Sequence, residues 1–170
     1  KNISKIAKNN KLKLHMDGAR FANACAFLKC TPSEMTWKSG IDILSLGATK
    51  NGALSCELVV VFNKSLYANV DRRQKRAGHL LSKQKFIAAQ IIKWIENDKW
   101  IKAASKANNF AKKIENILKN NNKINVIYPI ESNMIFLELS LESELNLKKN
   151  NVEFYNWPSN NNTLRFVTSW

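Results

Sequence analysis

Apolar and polar positions follow two rhythms along the chain. In the first, apolar residues recur at three and four, the spacing of one helix face; in the second they alternate, the spacing of a half-buried strand. "KNISKIAKNNK" reads as a short polar helix. "LKLHMD" alternates through Leu12, Leu14 and Met16 and predicts a strand ending at Asp17. "ARFANACAFLKC" is alanine-rich and helical. "TPSEMTWKSG" predicts one helix, with Thr31 as N-cap, Pro32 at the first turn, Glu34 three residues after the cap and Gly40 as the stop. Strands follow near residues 42–46 and 57–62, then a helix over about 64–75. Ser82 is expected to cap "KQKFIAAQIIKWIEN", and "DKWIKAASKANNFAKKIENILKNNN" is a second long amphipathic helix. Beyond it "INVIYP", "SNMIFLEL", "NVEFY" and "TLRFVTSW" read as strands, with one short helix near 141–149. No internal repeat is visible.

The alternation of helix and strand before the polar turn Asn97-Asp98 predicts an α/β layer over residues 1–97. Residues 98–170 read as a smaller α+β unit. A 170-residue chain with 45% hydrophobic content supports a real core. No run approaches the roughly 18 apolar residues of a membrane span, and the basic start has neither the apolar core nor the cleavage site of a signal peptide. That start lacks methionine and reads as a helix entered partway along, so the chain is expected to be a fragment of a longer protein.

Three cysteines, Cys25, Cys30 and Cys56, form an odd and sparse set. They fit a reducing, cytoplasmic compartment, and their spacing matches no zinc site, so no metal is expected. The net charge of +14 raises nucleic-acid or anionic-membrane binding as a non-enzymatic alternative. Only five of the 27 cationic residues are arginine, however, and lysine accompanies abundant asparagine, as in "KNNNKIN". The charge therefore reads as compositional bias, with no nucleic acid and no membrane among the expected partners. "RRQKRAGHLLSKQK", residues 72–85, is the one local cluster.

The five glycines all lie between positions 18 and 78, around two candidate residues. Lys50 sits between the apolar runs Leu44–Ala48 and Ala53–Val61, bracketed by Gly47 and Gly52, which permit unusual backbone angles. It is a solvated turn charge or, if the strand end desolvates it, a nucleophilic amine. Asp17 in "HMDGAR" ends a strand; it is a helix cap or part of a site, because ligands of open α/β sheets bind beyond the carboxyl ends of strands. Together a lysine able to bond an aldehyde and an aspartate able to hold a proton on a pyridine nitrogen describe pyridoxal phosphate. His15, two residues before Asp17, reads first as a core histidine, and His79 as a residue at a helix end.

"HMDGARFANA", "DILSLGATKNGA", "KRAGHLLSKQKFIAAQ", "KANNFAKKI" and "LRFVTSW" resemble the low-specificity threonine aldolases, of the aromatic amino acid β-eliminating lyase/threonine aldolase family. The five motifs run in order along nearly the whole chain and correspond to the later half of such an enzyme. The resemblance implies an α/β fold of the fold-type-I class of pyridoxal-phosphate enzymes. Residues 1–97 would be the later part of the cofactor-binding large domain, and residues 98–170 the small C-terminal domain. Its implied activity is retro-aldol cleavage of a β-hydroxy-α-amino acid, such as threonine or allo-threonine, to glycine and an aldehyde. Another fold-type-I reaction, β-elimination or aminotransfer, is the alternative.

By the same resemblance the cofactor is pyridoxal 5'-phosphate, with Lys50 as the Schiff-base lysine and Asp17 as the partner of the ring nitrogen. Arg20 would contact the cofactor's phenolic oxygen and lie near the substrate carboxylate, which Arg165 would pair with. Without the family, Arg20 reads equally as a surface helix residue or a site residue, and Arg165 equally as an edge-strand charge or a site residue. Lys75 and Arg76 would reach a phosphate or a subunit interface, against a solvated helix end. The full-length protein is expected to be a homodimer or homotetramer acting on a small amino acid, and the 170 residues alone are expected to be inactive.

Overall fold

The computed structural model describes residues 2–122, 124–157 and 163–170. Residues 1–102 and 103–170 form two compact units.

The first unit opens with α1 (Asn2–Asn9), which a left-handed Lys11 closes (φ 55°) as Leu12 N–H bonds back to the Ala7 carbonyl. That turn delays the first strand: β1 is His15–Gly18, and Leu12 and Leu14 precede it. β1 pairs in parallel with β2 (Ile43–Gly47), which pairs antiparallel with β3 (Glu57–Val61). The sheet order is β1-β2-β3, and Asp17 lies opposite Ser45. The parallel pair needs a crossover, supplied by α2 (Phe21–Leu28) and α3 (Pro32–Met35).

The capping box expected at Thr31 forms: Thr31 Oγ1 accepts from Glu34 N–H, and Glu34 Oε2 accepts from Thr31 N–H at 2.8 Å. The single helix expected over 31–40 does not. Buried Thr36 turns its hydroxyl onto the Pro32 carbonyl (2.6 Å) and leaves helical angles (φ −110°, ψ −105°), so the chain re-enters as a 3₁₀ turn, Trp37–Ser39. Gly40 ends that turn in the left-handed region, φ 90°.

Asp42 ties the sheet together. Its Oδ2 accepts from Leu14 N–H (2.9 Å), its Oδ1 from Asn63 Nδ2 (2.6 Å), and its carbonyl from Phe62 and Asn63 N–H.

After β3 come α4 (Tyr67–Arg76) and α5 (Lys85–Ile95). Ser82 does not cap α5. The N-cap position is Gln84, without a side-chain bond, and Phe86, Ile87 and Ala88 N–H satisfy themselves on the Lys83 and Gln84 carbonyls. Asn97 and Asp98 both take left-handed angles before α6 (Lys99–Leu118). The first unit buries Phe21, Ala22, Cys25, Leu44, Ala48, Cys56, Trp94 and Trp100.

In the second unit α6 presents buried Ala104, Ala107 and Ala111. The sheet order is β4 (Asn125–Val126), β5 (Met134–Glu138), β7 (Thr163–Val167), β6 (Tyr155–Asn156), all antiparallel, with α7 (Leu141–Lys149) between β5 and β6 in sequence. Ile135, Leu137 and Leu164 alternate onto the buried face, where Ala111 and Ile130 pack with Ile135 and Leu137. Thr168 Oγ1 donates to the Ala107 carbonyl at 2.7 Å, tying the C-terminal segment to α6.

Candidate active site

Lys50 stands in a 3₁₀ turn, Thr49–Asn51, beyond the end of β2. Its two neighbourhoods differ sharply. Ala48 and Asn51 are buried, whereas Lys50 itself is exposed. The expected desolvation of Lys50 is therefore absent within this chain: the turn is pinned at its base and projects its middle residue outward.

The pinning is specific. Asn51, 3% exposed, donates from Nδ2 to the Trp100 carbonyl (2.8 Å) and accepts at its own carbonyl from Trp94 Nε1 (2.7 Å). Trp94 packs tilted on Trp100 (5.2 Å), and Phe21 stacks on Trp100 (6.1 Å). Thr49 N–H reaches Glu57 Oε1, and Gln90 Oε1 accepts from both Leu54 and Ser55 N–H. Asn51, Trp94 and Trp100 were not singled out by the sequence pattern. An asparagine beside a lysine carries no local signal, and the indoles come from helices more than 40 residues away.

The bracketing glycines serve two different needs. Gly52 takes φ 106°, a left-handed turn. Gly47 does not; a Cβ there would lie 2.8 Å from Ala19 Cα, so Gly47 is required by close approach. Gly18 answers from the other side, where a Cβ would meet Leu44 Cδ1 and the Ser45 carbonyl at 2.7 Å. The ends of β1 and β2 thus lie tightly side by side, and their parallel pairing puts Asp17 and the Lys50 turn at the same end of the sheet.

Asp17 is exposed, and its Oδ1 accepts from Ala19 N–H at 3.0 Å. It does not cap α2, whose N-cap position is Arg20. Arg20 is half-buried and has interaction partners. His15 is exposed rather than a core residue, and its Nε2 lies 2.8 Å from Ser45 Oγ. Lys75 and Arg76 lie in the last turn of α4, both exposed, with Lys75 ion-paired to Asp71 at 3.0 Å. His79 follows left-handed Gly78 just past that helix, as expected. Among the described residues no three His, Cys, Asp or Glu side chains gather to hold a metal ion, and no helix is long and apolar enough to cross a membrane.

In the second unit Arg165 lies on β7 opposite Phe136 and Tyr155. Its guanidinium carbon is 4.8 Å from the Tyr155 ring centroid and 5.4 Å from that of Trp157.

The fold is α/β, and solved structures place it in the class of fold-type-I pyridoxal-phosphate enzymes. The threonine aldolase of Leishmania major superposes with a TM-score of 0.87 at 26% identity, over 99% of this chain and 49% of that one. The beta-eliminating lyase family model matches residues 1–140, and the chain belongs to this pyridoxal-phosphate-dependent family. It is 40% identical over all 170 residues to the low specificity L-threonine aldolase of a Pseudomonas species, and 39% identical to that of Pseudomonas aeruginosa. The chain spans about half the length of these curated relatives, 49% in each.

Proposed function

We propose that the intact protein carrying this chain is a cytoplasmic, homo-oligomeric pyridoxal-phosphate-dependent aldolase. It would cleave a β-hydroxy-α-amino acid of the threonine type to glycine and an aldehyde. The observation that carries the reading is the paired strand end, with Asp17 on β1 and the pinned Lys50 turn after β2, in a chain 40% identical to a threonine aldolase.

The residues fit the cofactor. Lys50 is free to extend from a fixed base, so its amine can bond the cofactor's aldehyde. Asp17 has one oxygen engaged by Ala19 N–H and stands exposed at the neighbouring strand end, and it would hold the proton on the pyridine nitrogen. When bound, the cofactor supplies an electron-accepting ring for the charge that develops at the substrate's α-carbon. Arg20 would contact the phenolic oxygen and Arg165 would take the substrate carboxylate, for which a planar guanidinium is suited. Lys75 and Arg76 serve a phosphate or a subunit contact. Residues 1–97 act as the cofactor-binding part and residues 98–170 as the small domain.

The test has two arms. Borohydride reduction of the cofactor-loaded intact enzyme, followed by peptide mapping, is expected to place the cofactor on Lys50; a label on another lysine overturns the assignment. With L-threonine or L-allo-threonine, glycine and acetaldehyde are expected in equal amounts. Ammonia with a keto acid would instead mark the β-eliminating reaction that the family's description names.

A further inference from the structure

The second unit's sheet has two faces, and one is the core formed by Ile135, Leu137 and Leu164. The opposite face carries Arg165 with its cross-strand partners Phe136 and Tyr155. Side chains two apart on an extended strand share a face, so Trp157 follows Tyr155 onto it. Trp157 N–H donates to the Thr163 carbonyl at 2.7 Å, which holds this end of β6 against β7. The indole is braced edge-on by Phe136 (5.1 Å, 77°), and Phe136 in turn by Tyr128 (5.4 Å, 85°).

The guanidinium therefore lies against two rings, one of them with fixed support. Aromatic faces attract a cation without neutralising its charge or using its N–H donors. Among the described residues buried Arg165 Nε has no hydrogen-bond partner, and no carboxylate pairs with this arginine. An orphaned buried donor is costly, and such costs collect at functional positions. A charge that is oriented, half-buried and not paired within its own unit is suited to an external anion. Planarity selects a carboxylate engaged by two parallel N–H bonds.

We propose that Tyr155 and Trp157 form an aromatic slot that orients the Arg165 guanidinium, and are positioning residues for the α-carboxylate of the amino-acid substrate. This rests on the reading of Arg165 given above. Flexible arginine loses side-chain entropy on binding; the slot removes that loss beforehand, and it does so equally for bound substrate and transition state, so the benefit is read in KM and not in kcat.

The experiment uses the cofactor-loaded intact enzyme with Tyr155→Leu, Trp157→Leu, Tyr155→Phe and Arg165→Lys. KM and kcat for L-threonine are measured beside the equilibrium dissociation constant of glycine, read from cofactor absorbance. Both leucine variants are expected to raise KM and the glycine constant together by about tenfold, with kcat changed by less than about threefold and cofactor affinity unmoved. Tyr155→Phe, which keeps the ring, recovers most of that loss. If the leucine variants bind glycine as the parent does while Arg165→Lys does not, the slot is wrong and the carboxylate role of Arg165 stands. If Arg165→Lys leaves both constants unmoved, the two fall together. Trp157 packs on Phe136, so its leucine variant is checked by melting. Tyr155, 66% exposed on an edge strand, decides the matter if that variant fails to fold.

Discussion

Asp17 and Asp42 are both aspartates at strand ends, and their surroundings separate their roles. Asp17 is exposed with one local hydrogen bond, so folding makes little use of its charge. Asp17→Asn is expected to retain cofactor but to lose at least about 10²-fold in kcat, because an amide cannot hold the ring-nitrogen proton. Turnover within a few-fold of the parent would leave Asp17 as a turn residue only. Asp42 is the structural counterpart. Burial pushes its carboxyl upward, but the Asn63 amide, the Leu14 N–H and the Lys13 ammonium outweigh burial and hold it below the usual aspartate range. Its contribution to stability is therefore full above the unfolded value near about 3.9 and is lost as pH falls through the lower folded value. Asp42→Ala is expected to cost about 1–3 kcal/mol at neutral pH by stranding two donors, and Asp42→Asn to flatten the acid limb. Urea midpoints at pH 7 and at about pH 2.5, below the unfolded value, check both, and an unchanged acid limb in Asp42→Asn would remove Asp42 as its source. Cys25 is a third case: burial, with Cys30 adding, pushes its thiol to about 12, so it stays protonated at neutral pH and is a poor nucleophile.

At the level of elements, legibility followed locality. The capping box at Thr31 was readable because all its atoms lie within four residues. The break at Thr36 is the exception: its partner, the Pro32 carbonyl, is only four residues away, but a hydroxyl bonding back to a carbonyl leaves no distinctive residue pattern. Lys50 and Asp17 were legible as strand-end residues because strand ends follow from periodicity and glycine. The exposure of Lys50, the burial of Asn51 and the slot at Arg165 come from partners distant in sequence, which no local pattern encodes. The turn supplies its own prediction. Asn51→Ala deletes the bond to the Trp100 carbonyl and is expected to destabilise the enzyme by about 1–3 kcal/mol. If the turn shifts by an ångström, kcat falls by about 10²-fold, a sensitivity set by the geometry of reacting groups. Thermal melting and kcat are read together; a destabilised variant with intact kcat would show that the anchor supports the fold and not the lysine.

On the scale of the whole molecule, these 170 residues are predicted not to turn over L-threonine on their own, since they span 49% of the curated relatives. The assay is acetaldehyde release with excess pyridoxal phosphate. Sustained turnover above that of free cofactor would show a complete site in this chain. Apolar side chains left open include Leu54, 87% exposed, and Phe86 and Ile92 on α5. The strand order adds to this. Among the described residues β1 and β3 each pair on one side only, so the first sheet has two open borders and no closing strand. Each border is a row of backbone donors and acceptors that water satisfies only until another strand is offered. The state of the isolated chain is then a matter of mass action rather than of sequence alone. Dilute, it is expected to stay a monomer with wet borders, and concentrated to grow by strand addition, so that light scattering rises more steeply than linearly with protein concentration; strictly linear scattering would show that the borders are not used.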